Sequence, residues 1–242
     1  MENKIDLLKD IIANSKKIVF FGGAGVSTES GVPDFRSVDG LYNMKYKYPP
    51  ETILSHTFFV KKTEEFYDFY RDKMLFENVL PNNAHKALAK LEQDGKLTAV
   101  VTQNIDGLHQ LAGSKNVLEL HGSVHRNYCT SCNAPFKMID ILNGTGIPRC
   151  DKCGGIIKPD VVLYEEGLDD DTVSNAIAHI SECDTLIVGG TSLAVYPAAG
   201  LLRYFSGKNL ILINKSTTPM DSKATLIIND NIGEVLSKVV NL

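Results

Sequence analysis

Residues 20–37 read FFGGAGVSTESGVPDFRS, and their order governs how the rest of the chain is read. The apolar run at 18–21 has the composition of a buried parallel strand. It breaks into Gly22-Gly23-Ala24-Gly25, after which Ser27, Thr28 and Glu29 are suited to opening a helix. Strand, glycine turn and helix start together make a phosphate cradle. The glycines let the backbone approach closely, and free N–H groups at the helix start face the anion. The third glycine of the dinucleotide fingerprint is absent, because Thr28 stands there. Taken alone, the stretch fits a nucleotide site and a tight turn equally well.

Working outward, residues 3–14 place Ile5, Leu7, Leu8, Ile11 and Ile12 at helical spacing, which predicts an amphipathic helix feeding the first strand. Gly31-Val32-Pro33-Asp34 stops the helix after the glycine turn. Residues 35–50 hold glycine, proline and several tyrosines without periodicity and read as a mobile binding loop. A helix is expected over 56–74, with Phe58, Phe59, Phe66, Phe69 and Tyr70 as packing surface, and another over 82–93 with Gly95 beyond its end. His85 falls in the latter and is expected to make a structural hydrogen bond.

Further apolar runs occur at 97–101, 117–120, 185–188, 210–213 and 225–228, with helical patterns at 170–180, 198–205 and 232–240. This alternation predicts an α/β, Rossmann-like, mostly parallel sheet covered by helices on both faces. Nearly every run ends in polar residues and glycine: Gln103-Asn104-Ile105-Asp106, His121-Gly122, Gly189-Gly190-Thr191-Ser192 and Asn214. Ligands bind at those carboxyl ends in open α/β sheets.

A chain of 242 residues that is 43% hydrophobic can bury one large domain, or one domain carrying a smaller insertion. Its net charge of -4 argues against binding nucleic acid by bulk phosphate neutralisation. No signal-like segment opens the chain, and no run approaches the roughly 20 apolar residues needed to span a bilayer. The expectation is a cytoplasmic protein. Of the five cysteines, four form Cys129-x-x-Cys132 and Cys150-x-x-Cys153, a zinc signature. Four thiolates fill a tetrahedral shell and leave no open position, so the site is expected to be structural. It interrupts the alternation as an inserted module over about 124–160. Cys183 reads as a small buried side chain.

His121 is the most informative of the six histidines. It directly follows an apolar run and precedes glycine, which puts an imidazole at the mouth of the sheet. Gln103, Asn104 and Asp106 end another predicted strand and can face it across one cleft. Imidazole accepts a proton near neutral pH, and amides orient a sugar hydroxyl or a water. His56, His109, His125 and His179 read as surface or packing residues. Phe35 can cover a reacting sugar; Arg36 can pair with a phosphate or hold the loop closed, but on its own reads first as a solvated charge.

GAGVSTESGVPDFRS (23–37), TQNIDGLH (102–109), His121-Gly122, the paired cysteines and GGTSLAVYPAA (189–199) occur in the order found in sirtuins, and the chain resembles a compact, bacterial-type member of that family from about residue 16 to 233. The resemblance implies an NAD-binding domain made of 1–34, 76–123 and 161–242. A small domain would combine a loop and helical module (35–75) with a zinc-binding module (124–160). It implies that Gly22, Ala24, Gly25, Thr28, Arg36 and Gly189 bind NAD at the cradle, and that Phe35 shields the nicotinamide ribose. Gln103 and Asn104 would position that ribose, Ile105 and Asp106 would hold the carboxamide, and Asn104 would count with His121 as catalytic, both also touching NAD. Thr191, Ser192, Asn214 and the backbone at Ile232 would take the phosphate and adenosine half. Val161, Val162, Leu163, Val195 and Tyr196 would flank an acyl-lysine peptide as strands.

The implied reaction is NAD-dependent deacetylation of protein lysine. The acyl oxygen attacks the ribose carbon bearing nicotinamide, and nicotinamide leaves. His121, as general base, helps a ribose hydroxyl attack the resulting imidate. Water then completes release of lysine and O-acetyl-ADP-ribose. The same NAD site would serve a protein ADP-ribosyltransferase, and a non-enzymatic zinc-ribbon binding module is a third reading. The expected partners are acetylated lysine-containing proteins or peptides, without nucleic acid or membrane, and the chain is expected to be a monomer. The chain departs from the family in two places. Family members that prefer acidic acyl groups carry Tyr-x-x-Arg. Here Tyr70 takes the arginine position and Arg71 follows one place later, about 100° round a helix. Acetyl or longer apolar acyl groups are therefore expected to be preferred. And where many members have Phe-Gly-Glu, this chain has Tyr164-Glu165-Glu166.

Overall fold

A computed structural model describes residues 2–35, 40 and 46–242. From the amino end come α1 (Glu2–Asn14), β1 (Ile18–Gly22), α2 (Pro50–Ile53), α3 (His56–Lys61), α4 (Thr63–Lys73) and α5 (Asn83–Gln93). Next are β2 (Leu97–Thr102), α6 (Leu108–Ala112), β3 (Val117–Glu119), β4 (Gly122–Cys129), β5 (Pro135–Lys137) and α7 (Met138–Leu142). The chain closes with β6 (Ile157–Val161), α8 (Asp170–Glu182), β7 (Thr185–Gly189), β8 (Asn209–Ile213), β9 (Leu226–Ile228) and α9 (Ile232–Val240). Among the described residues no helix is long and apolar enough to cross a membrane.

Six strands form one parallel sheet in the order β3-β2-β1-β7-β8-β9. Each apolar run supplies both faces by alternation. Ile18 and Phe20 join the core under α1, α5 and α9, while Val19 and Phe21 join the opposite core under α8. Register brings the strand ends level: Glu119, Thr102, Gly22, Gly189, Ile213 and Ile228 stand in one row across the sheet. The chain reverses its strand order between β1 and β7, the topological switch point where a crevice opens.

A second, antiparallel sheet has the order β5-β4-β6. It shares one apolar cluster with α2–α4, in which Phe58, Phe59, Phe66, Tyr67 and Tyr70 pack against Val124, Ile141 and Ile157. Gly122 sits where the two sheets meet, at φ +74, and a Cβ there would run into the carbonyl oxygen of Asp160. Gly122→Ala combines a left-handed backbone with a backbone clash, so it should destabilise the chain by about 2–4 kcal/mol. Urea unfolding measures this directly.

The structure corrects three sequence expectations. No α-helix follows the glycine turn. The chain instead makes two 3-10 turns, Ala24–Val26 and Thr28–Ser30, closed by Gly31 at φ +87. The helix expected over 56–74 is broken at Lys62, whose backbone (φ -138, ψ 49) leaves the helical region. Residues Ala198–Tyr204 form a 3-10 rather than an α-helix.

Candidate active site

A cleft of about 680 Å³ opens along the row of strand ends. Its floor is a contact between two glycine turns. The Gly25 N–H donates to the Gly190 carbonyl (2.8 Å), and a Cβ on Gly25 would lie 2.8 Å from Gly190 Cα. A Cβ on Gly23 would lie 2.9 Å from Thr191 Cβ. The glycines are needed for this close approach, and one N–H expected to face an anion is already used within the floor. Ala24, Gly25, Thr28 and Phe35 line the cleft, whereas Gly22 and Gly189 lie just behind it. Their missing Cβ atoms leave room for Phe20 and Ile232, respectively. Arg36 falls outside the described residues.

The loop after β2 brings Gln103, Asn104, Ile105 and Asp106 into the same wall. Ser27, buried and seen in the sequence only as a helix opener, is their hub. It accepts from Asn104 Nδ2 (3.0 Å) and donates to Asp106 Oδ2 (2.6 Å), whose other oxygen accepts the Leu108 N–H (3.0 Å). His85 Nε2 lies 3.5 Å from Ser27 Oγ, while its Nδ1 accepts the Asn82 N–H (3.2 Å). Burial pushes the His85 pKa down to about 4. His109, packed edge-on against His85, is fully buried and held neutral as well. The structural role expected of His85 holds, and the ring also backs the loop that carries Asn104.

His121 follows β3 and lines the cleft. Its Nδ1 lies 2.9 Å from the Gln103 carbonyl, which can only accept, so Nδ1 carries the proton. Nε2 keeps its lone pair and has no partner among the described residues. Burial lowers the His121 pKa, with the Gln103 carbonyl partly opposing the shift. The result is a neutral imidazole, fixed in one tautomer, with its basic nitrogen available.

Thr191, Ser192, Asn214 and Ile232 complete the far half of the cleft. Gln103 Nε2 donates to Thr191 Oγ1 (3.1 Å), and Asn214 Oδ1 accepts the Thr191 N–H (2.9 Å). Among the described residues Asn214 Nδ2 is buried without a partner, an unused donor. Val161, Val162, Leu163, Val195 and Tyr196 line the opposite rim. The Val162 N–H donates to the His121 carbonyl (3.0 Å), so this rim is stitched to the histidine's own backbone. Glu165 takes φ +76, a value that favours glycine, and its carboxylate accepts the Thr57 N–H (2.9 Å).

Away from the cleft, the sulfurs of Cys129, Cys132, Cys150 and Cys153 lie within 4.8 Å of one another. Tetrahedral zinc with Zn–S near 2.3 Å requires sulfurs about 3.8 Å apart. Cys129–Cys153 at 3.4 Å and Cys132–Cys150 at 3.7 Å fit that shell, and the cysteines are not disulfide-bonded. Cys183 is buried, and burial pushes its thiol up to about 12.

A model of the Sir2 family matches residues 23–197. The chain is 64% identical over 241 residues to an NAD-dependent protein deacetylase of Clostridium acetobutylicum, with 98% of both chains covered. It is 63% identical over 244 residues to one of Clostridium perfringens, with both covered in full. A solved complex of Sir2, p53 peptide and NAD+ superposes with TM-score 0.89 at 39% identity, covering 98% of each chain. A second, of Sir2 with deacetylated p53 peptide and 3'-O-acetyl ADP ribose, superposes at 0.91 and 40%, again covering 98% of each.

Proposed function

The chain belongs to the Sir2 family, and from that premise we infer that it is an NAD-dependent protein lysine deacetylase, yielding nicotinamide, O-acetyl-ADP-ribose and free lysine. One observation carries the reading. The ends of β1, β2, β3, β7 and β8 meet in a single cleft that leaves Nε2 of His121 open beside two glycine turns. The cleft suits NAD on its own chemistry: a glycine floor with no room for a Cβ, and an orphaned Asn214 amide donor on the wall.

Ala24, Gly25 and Thr28 would receive the pyrophosphate, and Thr191, Ser192, Asn214 and Ile232 the adenosine half. Gln103 and Asn104 would fix the nicotinamide ribose, with Ile105 and Asp106 at the carboxamide. Ser27 holds Asn104 and Asp106 in place for this. NAD, when bound, supplies an ADP-ribosyl group whose sugar carbon takes the acyl oxygen as nicotinamide departs. His121 accepts a proton at Nε2 while Nδ1 stays tied to Gln103. Phe35 would exclude water, and 161–163 with 195–196 would hold the peptide by β-augmentation. The four cysteines would hold one structural zinc. The three apolar clusters support 1–34, 76–123 and 161–242 as the NAD-binding domain and 35–75 with 124–160 as the small one, though Val161 and Leu163 pack with the latter.

Incubation with acetyl-lysine peptide and NAD tests this. Nicotinamide release should match acetyl loss one for one and vanish without the acetyl group. Label from NAD retained on protein, without free O-acetyl-ADP-ribose, would instead establish ADP-ribosyl transfer.

The acyl group should be uncharged. Arg71 is turned to the carbonyls of Ile141 (2.8 Å) and Gly146 (2.7 Å), and Tyr70 is buried against Phe66. Lys73 does line the cleft, but it is paired with Asp72 at 2.9 Å. Among the described residues Lys215 is the other lysine lining the cleft, and it follows Asn214 in the far half, so a succinyl carboxylate loses its water uncompensated and kcat/KM on succinyl-lysine peptide should be at least about tenfold below that on acetyl-lysine. Comparable turnover would contradict this.

A further inference from the structure

Strand β4 does not run evenly beside β6. Gly122 pairs with Val161 and Ser123 with Asp160, but the next pair is Asn127 with Pro159. Val124, His125 and Arg126 are therefore looped out of the ladder as a bulge, and bulges re-aim side chains beside active sites. Val124 and His125 reach out of the small sheet to the loop after β2, while Arg126, whose backbone still pairs with Lys137 of β5, reaches both out of that sheet and across it to β6. The Val124 N–H donates to the Ile105 carbonyl (3.0 Å), and His125 Nε2 donates to the Asp106 carbonyl (2.9 Å). Arg126 spreads its guanidinium between two carboxylates: Nη1 to Glu119 Oε2 and Nε to Asp160 Oδ2, both at 2.7 Å. Glu119 is itself anchored, accepting Gln110 Nε2 at its other oxygen (2.8 Å).

The two carboxylates belong to the two sides of the cleft. Glu119 ends β3 two residues before His121, and Asp160 immediately precedes the rim at 161–163. We propose that Arg126 is a positioning residue for deacetylation: by bridging Glu119 to Asp160 it fixes the spacing between the His121 imidazole and the strand that receives the peptide. This rests on His121 as the base and 161–163 as the peptide strand. Arginine suits the task because its planar fork binds two carboxylates in fixed directions, which an ammonium does not. Arg126 and Asp160 are 44% and 41% exposed at their side chains, so water screens that arm. The bridge should tune the reaction by several-fold rather than switch it off.

Steady-state deacetylation of an acetyl-lysine peptide by Arg126→Ala and Arg126→Lys tests this, alongside thermal unfolding. Arg126→Ala should raise the peptide KM about fivefold and lower kcat about twofold, while the NAD KM moves less than twofold. Arg126→Lys should recover part of the peptide KM but not all of it. Unchanged peptide kinetics, or equal losses in both KM values that follow a lowered unfolding temperature, would overturn the proposal. Should Arg126→Ala fail to fold, Asp160→Ala decides, since it removes only the arm to the peptide strand, whereas asparagine would keep an acceptor for Nε. An unchanged peptide KM there overturns the proposal, and a raised one supports it. A wild-type chain that releases nicotinamide without deacetylating would overturn the proposed function itself, whatever Arg126 does.

Discussion

His121→Ala should fold, hold its zinc and lose about 100- to 10,000-fold in deacetylation, the usual span for a general base. The expectation follows from the two ring nitrogens. Nδ1 is committed to the Gln103 carbonyl, which leaves Nε2 as the ring's basic atom in the cleft. Removing the ring frees one carbonyl beside a cleft that water can enter, at a stability cost of about 1 kcal/mol. The pH profile supplies a second check. Burial disfavours the imidazolium, so the His121 pKa is lowered and the neutral base persists to lower pH than in an ordinary histidine. Wild-type kcat/KM should therefore be level through neutrality and fall on the acid side with a midpoint below about 6.5, the unperturbed value. That limb should be missing from whatever activity His121→Ala retains. A variant with wild-type turnover, or one with the same acid limb, would remove His121 from the chemistry.

How much of this was legible in the sequence depends on the range of the interactions. The large sheet was legible because each strand is a local apolar run, and the polar residues at the strand ends were the right ones for lining a cleft. The 3-10 turns after Gly25 were not, because Ser27 and Thr28 suit a helix start locally. What bends the chain there is a distant turn, whose Gly190 carbonyl captures the Gly25 N–H. The break at Lys62 has no glycine or proline to announce it. Strand β4 has only a weak alternating pattern, since GSVHRNYC mixes small and charged residues and contains the bulge. The Ser27 hub was invisible because its partners lie 58 to 79 positions away in the chain. His125 carries no local signal beyond surface or packing, but its ring holds the Asp106 carbonyl. Tyr164-Glu165-Glu166 stands out only as a departure from the family's Phe-Gly-Glu, and Glu165 indeed takes a positive φ better suited to glycine.

Removing the zinc should abolish deacetylation even though no cysteine lines the cleft. The connection runs along two strands. β4 begins at Gly122, next to His121, and ends at Cys129, while β6 begins shortly after Cys153 and ends at Val161 on the peptide rim. The metal thus pins the far end of the ladder whose near end shapes the site. Structural zinc contributes about 10–16 kcal/mol of apparent binding free energy in small modules, comparable with the roughly 5–15 kcal/mol that stabilises a whole domain. Strong chelation, or Cys150→Ser, should therefore strip about one zinc per chain and unfold β4–β6 with α2–α4, which share its core. The parallel sheet should survive, because its two cores draw on none of those cysteines. Proteolysis or hydrogen exchange should show protection lost at 124–160 and kept in β1, β7 and β8. The role of the ion is separable from that of its site. Four thiolates leave no coordination position for substrate, so refolding with cobalt should restore the wild-type kcat. A metal-free chain with full turnover would contradict the structural role, and a kcat that changes with the metal would place the ion in the reaction.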